Sequence, residues 1–406
     1  MKRILFISNG YGEDYVAVNI AKEILNIDPS INIEGLPIVG EGRLYINNHI
    51  PIIGPHKSTP SGGFLSSIES LFRDIKEGLL SLHYQQIKSM KKWAKKEGFI
   101  IAVGDVIPLA LAVLSKKSFF FVSIQKSVYY VLKENYEYRN INPQELTKIA
   151  QKAYLLEYYL MKNNRLLKVF PRDELSYNIL RLSGINAEYL GNPMMDGLDP
   201  TNKLDLSQFK DYFKVLILPG SRTPEAYANL KILTESILSL IHSDIKENFL
   251  FLIALAPNLN LPKVRKILEE KNFLYVNSSE DYSMYSYKDH YLILTNLFND
   301  CLHQAQIGIC MAGTATEQFV GLGKPAIAIP GKGPQYTKKF AYAQKRLLGP
   351  SLFIAENPEN VPEIFKKIYK NEKILKEVYE NGRKRMGEKG ASRRIAEKIL
   401  NIIRGG

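Results

Sequence analysis

Gly308–Pro330, GICMAGTATEQFVGLGKPAIAIP, is the stretch on which the fold of this chain turns. It reads as a short buried strand over Ile307–Cys310, a turn of small residues from Ala312 to Thr316, a helix, and a second strand over Ala326–Ile329. That is a β–α–β unit, the repeating piece of an α/β domain with a parallel sheet. Gly313 lets the chain turn where a side chain would clash, and lets backbone approach a ligand closely. Thr314 has the chemistry of an N-cap, which leaves the amides of Ala315 and Thr316 pointing outward at the positive end of a helix dipole. Such an end binds a phosphate or diphosphate without a lysine. Glu317, in the first turn, then reaches a sugar hydroxyl of the same ligand. The same residues also spell an ordinary capping box, with Thr314 as cap and Glu317 pairing back to its amide. The local pattern leaves both readings open.

A second stretch shifts the balance. Leu216–Glu225, LILPGSRTPE, repeats the design with an apolar strand, a Pro-Gly-Ser-Arg turn and a helix predicted to start at Pro224. Two such loops in one α/β domain can converge on one ligand at the carboxyl ends of parallel strands. Gly220 and Ser221 form the turn, and Arg222 supplies a fixed guanidinium that offsets charge left on a departing nucleotide. A surface pair between Arg222 and Glu225 is the plainer alternative.

LPGSR followed by GTATE, with Gly323-Lys324-Pro325 leading into a strand, resembles lipid-A-disaccharide synthase and its relatives. The resemblance implies an α/β protein of two facing Rossmann-like domains, the GT-B fold, with the ligand cleft between them. It further implies an N-terminal acceptor-side domain over 1–190, a hinge over 191–212 and a nucleotide-sugar-binding domain over 213–386. A final helix in 387–406 would return towards the first domain. The resemblance covers nearly the whole chain, yet its sharp motifs are few. Besides LPGSR and GTATE they are GNPMMD at Gly191–Asp196 and the GEKGAS turn at Gly387–Ser392. Gly331–Ala343 resembles the family's sugar-binding loop and helix, which makes Gln335 the expected sugar or phosphate contact.

In the first half, Arg3–Ser8 reads as a strand, Asn9–Asp14 (NGYGED) as a glycine turn and Val16–Leu25 as a helix. The turn is not a dinucleotide fingerprint, because the third glycine is missing and two acids that repel phosphate follow. The resemblance places Gly10, Gly12, Glu13 and Asp14 on the acceptor side. Glu13 equally suits a helix start, where the dipole favours an acid. Phe99–Val103 reads as a buried strand ending in Gly104 and Asp105. An Asp at the end of a central strand is well placed as the general base that takes the acceptor hydroxyl's proton in an inverting transfer. The family has Gly-x-Asp-Ala-Pro-Asp here. This chain has Gly104-Asp105-Val106-Ile107-Pro108, shifted by one residue and lacking one acid, and a helix cap is the competing role for Asp105. Phe119–Ser123 leads to Gln125, Ser127, Tyr129 and Tyr130. The family's Val-Ser-x-Ser segment lines the acceptor site at this point, which implies such a role for Ser127. Asn192 stands where the family has a histidine.

Composition bounds the rest. A chain of 406 residues suggests two or three domains. The 45% hydrophobic and 23% charged shares are ordinary for a globular protein. A net charge of +13 favours anionic partners. The basic residues are spread along the chain and not interleaved with aromatics in one patch, which argues against nucleic acid. Cys301 and Cys310 suggest neither a disulfide framework nor a metal cluster, and fit a reducing compartment. Lys2 and Arg3 precede only ILFI, too short for the apolar core of a secretory signal. No run approaches the roughly 18 apolar residues of a membrane span. The expected location is cytoplasmic, peripheral at the inner face of the membrane. Phe64, Leu65, Ile68, Leu71, Phe72, Ile75, Leu79 and Leu82 form a helical apolar stripe, followed by Lys88, Lys91, Lys92, Lys95 and Lys96 around Trp93. That combination suits adsorption to an anionic membrane surface. Packing of the stripe on the sheet, with solvated lysines, is the ordinary alternative.

The expected activity is an inverting, metal-independent glycosyl transfer to a lipid-linked or phosphorylated acceptor. The donor would be an NDP-sugar, UDP-N-acetylglucosamine or similar, as co-substrate and not as a bound cofactor. There is no Asp-x-Asp motif, so arginine and helix amides would serve the leaving group. One rival is a UDP-sugar 2-epimerase, which shares the fold, although acids and histidines around the sugar read as thin. Another is a non-catalytic lipid-binding protein on the same fold. In the synthase the tail is exchanged within a homodimer, and no feature of this sequence shows such exchange.

Overall fold

FIIAVG at 99–104 and FFFVS at 119–123 are apolar at almost every position, the mark of strands covered on both faces. In the computed structural model, which describes residues 2–56, 79–132, 142–333 and 336–405, they lie at the centre of the first of two sheets. The chain divides into one unit of residues 1–197 with 387–406 and a second of residues 198–386.

The first unit carries five parallel strands: β1 (Arg3–Ser8), β2 (Asn32–Pro37), β3 (Phe99–Gly104), β4 (Phe119–Ser123) and β5 (Leu166–Pro171), in the order β2-β1-β3-β4-β5. Its helices are α1 (Tyr11–Ile27), α2 (Arg43–Asn47), α3 (Leu79–Trp93), α4 (Val106–Leu114), α5 (Pro143–Tyr154), α6 (Leu156–Leu160) and α7 (Glu174–Leu182), with a C-terminal helix over Ala391–Gly405. Alternate strand residues feed two cores, as period-two side-chain direction requires. Leu5, Ile7, Ile100 and Phe121 pack with Met90, Trp93, Leu109 and Tyr154 on one face. Phe6, Ile101, Phe120 and Val122 pack with Val16, Ile20, Ile395 and Ile399 on the other. The C-terminal helix thus completes the first unit's core against α1. Its start is held by Asp196, whose carboxylate accepts the amides of Gly390 and Ser392, where a negative charge also suits the dipole.

Trp93 does not serve as an interfacial aromatic. It is 5% exposed, its indole N–H donates to Glu34, and Arg3 lies over its ring. The five lysines around it are exposed. The apolar stripe from Phe64 to Ile75 lies outside the described residues.

The second unit carries β6 (Phe213–Leu218), β7 (Phe249–Ala254), β8 (Leu274–Ser278), β9 (Tyr282–Tyr287), β10 (His290–Thr295), β11 (Ile307–Cys310), β12 (Ala326–Ala328) and β13 (Leu352–Ile354). Their order is β13-β12-β11-β6-β7-β10-β9-β8, parallel except for β9 and its pairings to β8 and β10. The helices are α8 (Glu225–Ile241), α9 (Leu261–Glu269), α10 (Phe298–Gln304), α11 (Thr314–Gly321), α12 (Lys338–Leu348), α13 (Val361–Ile368) and α14 (Glu372–Met386). Residues 201–204, read from sequence as part of a polar linker, are tied down. The Asp300 carboxylate accepts their four amides and the Thr201 hydroxyl.

Strand order decides where ligands go. The first sheet reverses direction of growth between β1 and β3. The parallel strands of the second, counted in chain order, run 3-2-1-4-5-6 and reverse between β6 and β11. In open α/β sheets ligands bind outside the carboxyl ends of the strands at such a switch point.

Candidate functional site

At the first switch point the chain leaves β1 through Asn9 and Gly10, and leaves β3 through Gly104 and Asp105. Both glycines are left-handed, with φ +115 and +119, which glycine adopts at no steric cost. A Cβ on Gly104 would lie 2.6 Å from Cγ of Glu13, and one on Gly10 would lie 3.2 Å from its Oε2. The Glu13 side chain therefore sits in a slot that exists because both positions lack a side chain. It is 6% exposed, and Gln125 donates to Oε1. Burial raises its pKa to about 7, against the opposing pull of that hydrogen bond.

Asp105 accepts the Ile107 amide at 3.0 Å, capping α4, and the Asn9 side-chain amide at 3.0 Å. Burial raises its pKa too, with these hydrogen bonds and Lys126 opposing, so capping and a position beside Glu13 coexist. Asp14 bonds elsewhere. It is 4% exposed, accepts the Ser8 hydroxyl at 2.5 Å, and is pushed by burial up to about 7. Glu157 on α6 is 1% exposed, and neither oxygen has a hydrogen-bond partner among the described residues. Burial raises it to about 8, with Lys126 pulling it down and Asp105 pushing it up.

Two expectations are corrected here. Gly12 lies inside α1 and not in the turn. Ser127 is fully buried and its hydroxyl accepts the Tyr129 amide, so it caps a short helical turn and offers no group to an acceptor. Glu13 does occupy the first turn of α1, as the helix-start alternative has it, and Asp14 lies beside it.

At the second switch point the loops after β6 and β11 are tied together. Asn229, 3% exposed on α8, donates to Pro219 O at 3.1 Å and to Met311 O at 3.3 Å. Gly220 is left-handed with φ +88, and a Cβ there would lie 3.2 Å from Met311 O. Asn258 donates to Ser221 O at 2.8 Å, while the Ser221 and Arg222 side chains are exposed. Gln344 on α12 donates to Ala312 O and Gly313 O at 3.2 and 3.0 Å and accepts the Tyr336 hydroxyl. Glu225 accepts the Tyr336 amide at 2.7 Å.

The N-cap of α11 is Gly313 and carries no side-chain cap, so neither the Thr314 cap nor the capping box forms. Thr314 is instead the first helical residue, and it is exposed. Gly313 O accepts the amides of Thr316 and Glu317, which leaves those of Thr314 and Ala315 ahead of the first intrahelical bonds. Thr316 turns inward and donates to Ala312 O at 2.6 Å. Glu317 is 7% exposed. In α8 the cap is Pro224 and the first helical residue is Glu225. Gln335 lies outside the described residues.

Sequence reasoning missed Asn9, Lys126, Glu157, Asn229, Tyr336 and Gln344. Asn229 and Gln344 had a signal, as polar residues on the buried faces of amphipathic helices must find partners. Glu157 had none, since its neighbour Asp105 is far away in sequence.

No protein-family model and no curated protein matches the sequence. Solved structures do match over nearly its whole length. The S. aureus MnaA–UDP co-structure has 13% identity and a TM-score of 0.62, covering 100% of this chain and 97% of that one. CalG4, the calicheamicin glycosyltransferase, has 10% identity and a TM-score of 0.61, covering 99% and 98%. The UDP-GlcNAc 2-epimerase from Neisseria meningitidis bound to UDP-GlcNAc has 16% identity and a TM-score of 0.56, covering 98% and 100%. At such identities the likeness shows the fold. The chain has the two-domain α/β architecture with separate sheets that defines the GT-B fold. The comparisons support the GT-B fold that the sequence motifs implied, and not the specific link to lipid-A-disaccharide synthase.

Proposed function

We propose that the chain is an enzyme of nucleoside-diphosphate sugars. Each unit carries its own candidate site: the loops Gly220–Arg222 and Gly313–Glu317 of the second unit suit a diphosphate and ribose, and the carboxyls of Glu13 and Asp105 in the first unit suit proton transfer. The observation that carries this is Glu13, slotted between Gly10 and Gly104 beside Asp105 and held near pKa 7. A carboxyl poised there both accepts and donates at neutral pH.

Of the chemistries such a site can run, 2-epimerisation comes first. When a base takes the C2 proton, the C–H electron pair forms a C1=C2 double bond and expels UDP from C1. UDP then re-adds at C1 as a proton is delivered to the opposite face of C2, so one group removes the proton and another returns it. Glu13 and Glu157 are buried and Asp105 is part-buried, so the first unit offers more than one carboxyl for such a pair of roles. The Neisseria neighbour carries this activity in its name. Glycosyl transfer is the second reading, favoured by LPGSR, GTATE and the CalG4 neighbour. Asp105 or Glu13 then takes the proton of an acceptor hydroxyl on a lipid-linked or phosphorylated molecule.

Incubation with UDP-N-acetylglucosamine alone, followed by proton NMR, separates the two. Epimerisation gives the 2-epimer without net release of UDP. Transfer gives no epimer, and UDP only at the rate of hydrolysis. Absence of both, with no rise in melting temperature on adding UDP, would reject the proposal as a whole.

A further inference from the structure

The first unit has a surface that the sugar chemistry does not use, where α5 gives way to α6. Leu155 joins the two helices with φ +51, a backbone region that bulky side chains avoid. Around it three large apolar side chains face solvent: Leu155 at 60%, Leu156 at 60% and Tyr159 at 58% exposure. The same two turns are anchored by Tyr154, Tyr158 and Met161, which are buried in the core, so the exposed trio stands on a fixed base.

From Thr147 to Arg165 the exposed charges have one sign, Glu145 at the start of α5 being the exposed acid nearest before them. Lys148 and Lys152 on α5, and Lys162 and Arg165 beyond α6, are exposed. Lys162 reaches back so that its Nζ lies 4.8 Å from the Tyr158 ring centroid. Between Leu146 and Arg165 the only acid is Glu157, which is 1% exposed. Three apolar side chains on two short turns cover little of a stable protein interface, which takes roughly 20–30 residues a side in all. An apolar and aromatic wedge framed by cations matches an anionic lipid surface. Leucines enter the acyl boundary, tyrosine sits at headgroup level, and lysine and arginine meet phosphates.

We propose that the α5–α6 junction docks the first unit on an anionic membrane surface, with Leu155, Leu156 and Tyr159 inserting and Lys148, Lys152, Lys162 and Arg165 binding lipid phosphates. This surface is distinct from the lysines at the end of α3, whose aromatic residue is buried. It stands or falls independently of the sugar chemistry.

The test is co-sedimentation of the full chain with vesicles of phosphatidylglycerol and phosphatidylcholine, against phosphatidylcholine alone, at low and high salt. Binding to the anionic vesicles at low salt, with release at high salt, is expected. The triple change L155S/L156S/Y159S and the quadruple change K148Q/K152Q/K162Q/R165Q should each lower partitioning by about tenfold or more. The control K88Q/K91Q/K92Q/K95Q/K96Q should bind like wild type. Unchanged circular dichroism and melting temperature establish that the variants fold, and the charge-only variant tests the surface without altering its apolar contacts. Equal binding to neutral vesicles, no binding, or loss confined to the α3 control would overturn the proposal. So would conversion of a dimer to a monomer by the triple change, which would make this face a contact between copies of the chain.

Discussion

Glu13, Asp14 and Glu157 each bind a proton more tightly in the folded chain than in the unfolded one. Asp14 titrates near 3.8 when unfolded and at about 7 when folded. Between those values the native state keeps a proton that the unfolded state has released, so stability falls as pH rises through the window and levels off above 7. Asp14→Asn keeps an acceptor for Ser8 and removes this dependence. Urea unfolding should find the variant about 2–4 kcal/mol more stable than wild type at pH 8 and similar to it at pH 4. A variant less stable at pH 8 would show that the ionised carboxylate is the native form. Glu13→Gln keeps the size of the side chain and removes the proton-moving group. Turnover should fall by about 10²–10⁴ while UDP still raises the melting temperature as in wild type. In the second unit, Glu317→Ala should weaken UDP binding by about 1.5–3 kcal/mol, the worth of a hydrogen bond to a charged group. Unchanged affinity by calorimetry would remove Glu317 from the nucleotide site. The sequence pointed to Glu13, Asp105 and Glu317 as candidates. It could not supply the slot around Glu13, because one wall, Gly104, comes from a strand some 90 residues downstream.

Among elements, the parallel strands were the most legible, since FIIAVG, FFFVS and LILP carry continuous apolar runs that no other environment favours. Tyr282–Tyr287 was missed because YSMYSY alternates polar and aromatic residues and is antiparallel, near the edge of its sheet. Glu145–Leu160 reads in sequence as one helix but forms two, α5 and α6, broken at Leu155, where no glycine, proline or asparagine announces a positive φ. The cap of α11 was misplaced by one residue, since Thr314 satisfies the composition rule for a cap while the backbone turns at Gly313. Asn229 joins the loops after β6 and β11, the proposed nucleotide loops. Asn229→Ala leaves Pro219 O and Met311 O without this donor and should lower stability by about 1–3 kcal/mol. UDP affinity should fall with it, by thermal shift and calorimetry. A destabilised variant with full UDP affinity would separate the loop tie from nucleotide binding.

On the scale of the whole chain, the sequence motifs carried the class of architecture, and the fold neighbours agree with it. What was not legible was how the tail is fastened. Asp196 lies about 190 residues before the amides it binds, and such a pairing leaves no local pattern. Asp196→Ala should release the start of the C-terminal helix and increase proteolysis near Gly387–Gly390, while the second unit remains resistant. Among the described residues no helix is long and apolar enough to cross a membrane. The central claim is that buried carboxyls of the first unit move a proton on a nucleoside-diphosphate sugar. Its most direct test is proton NMR of UDP-N-acetylglucosamine in D2O with wild type and Glu13→Gln. The account predicts deuterium at C2 with wild type and none with the variant, at equal UDP affinity. Exchange by the variant at the wild-type rate, or no exchange by either, would contradict it.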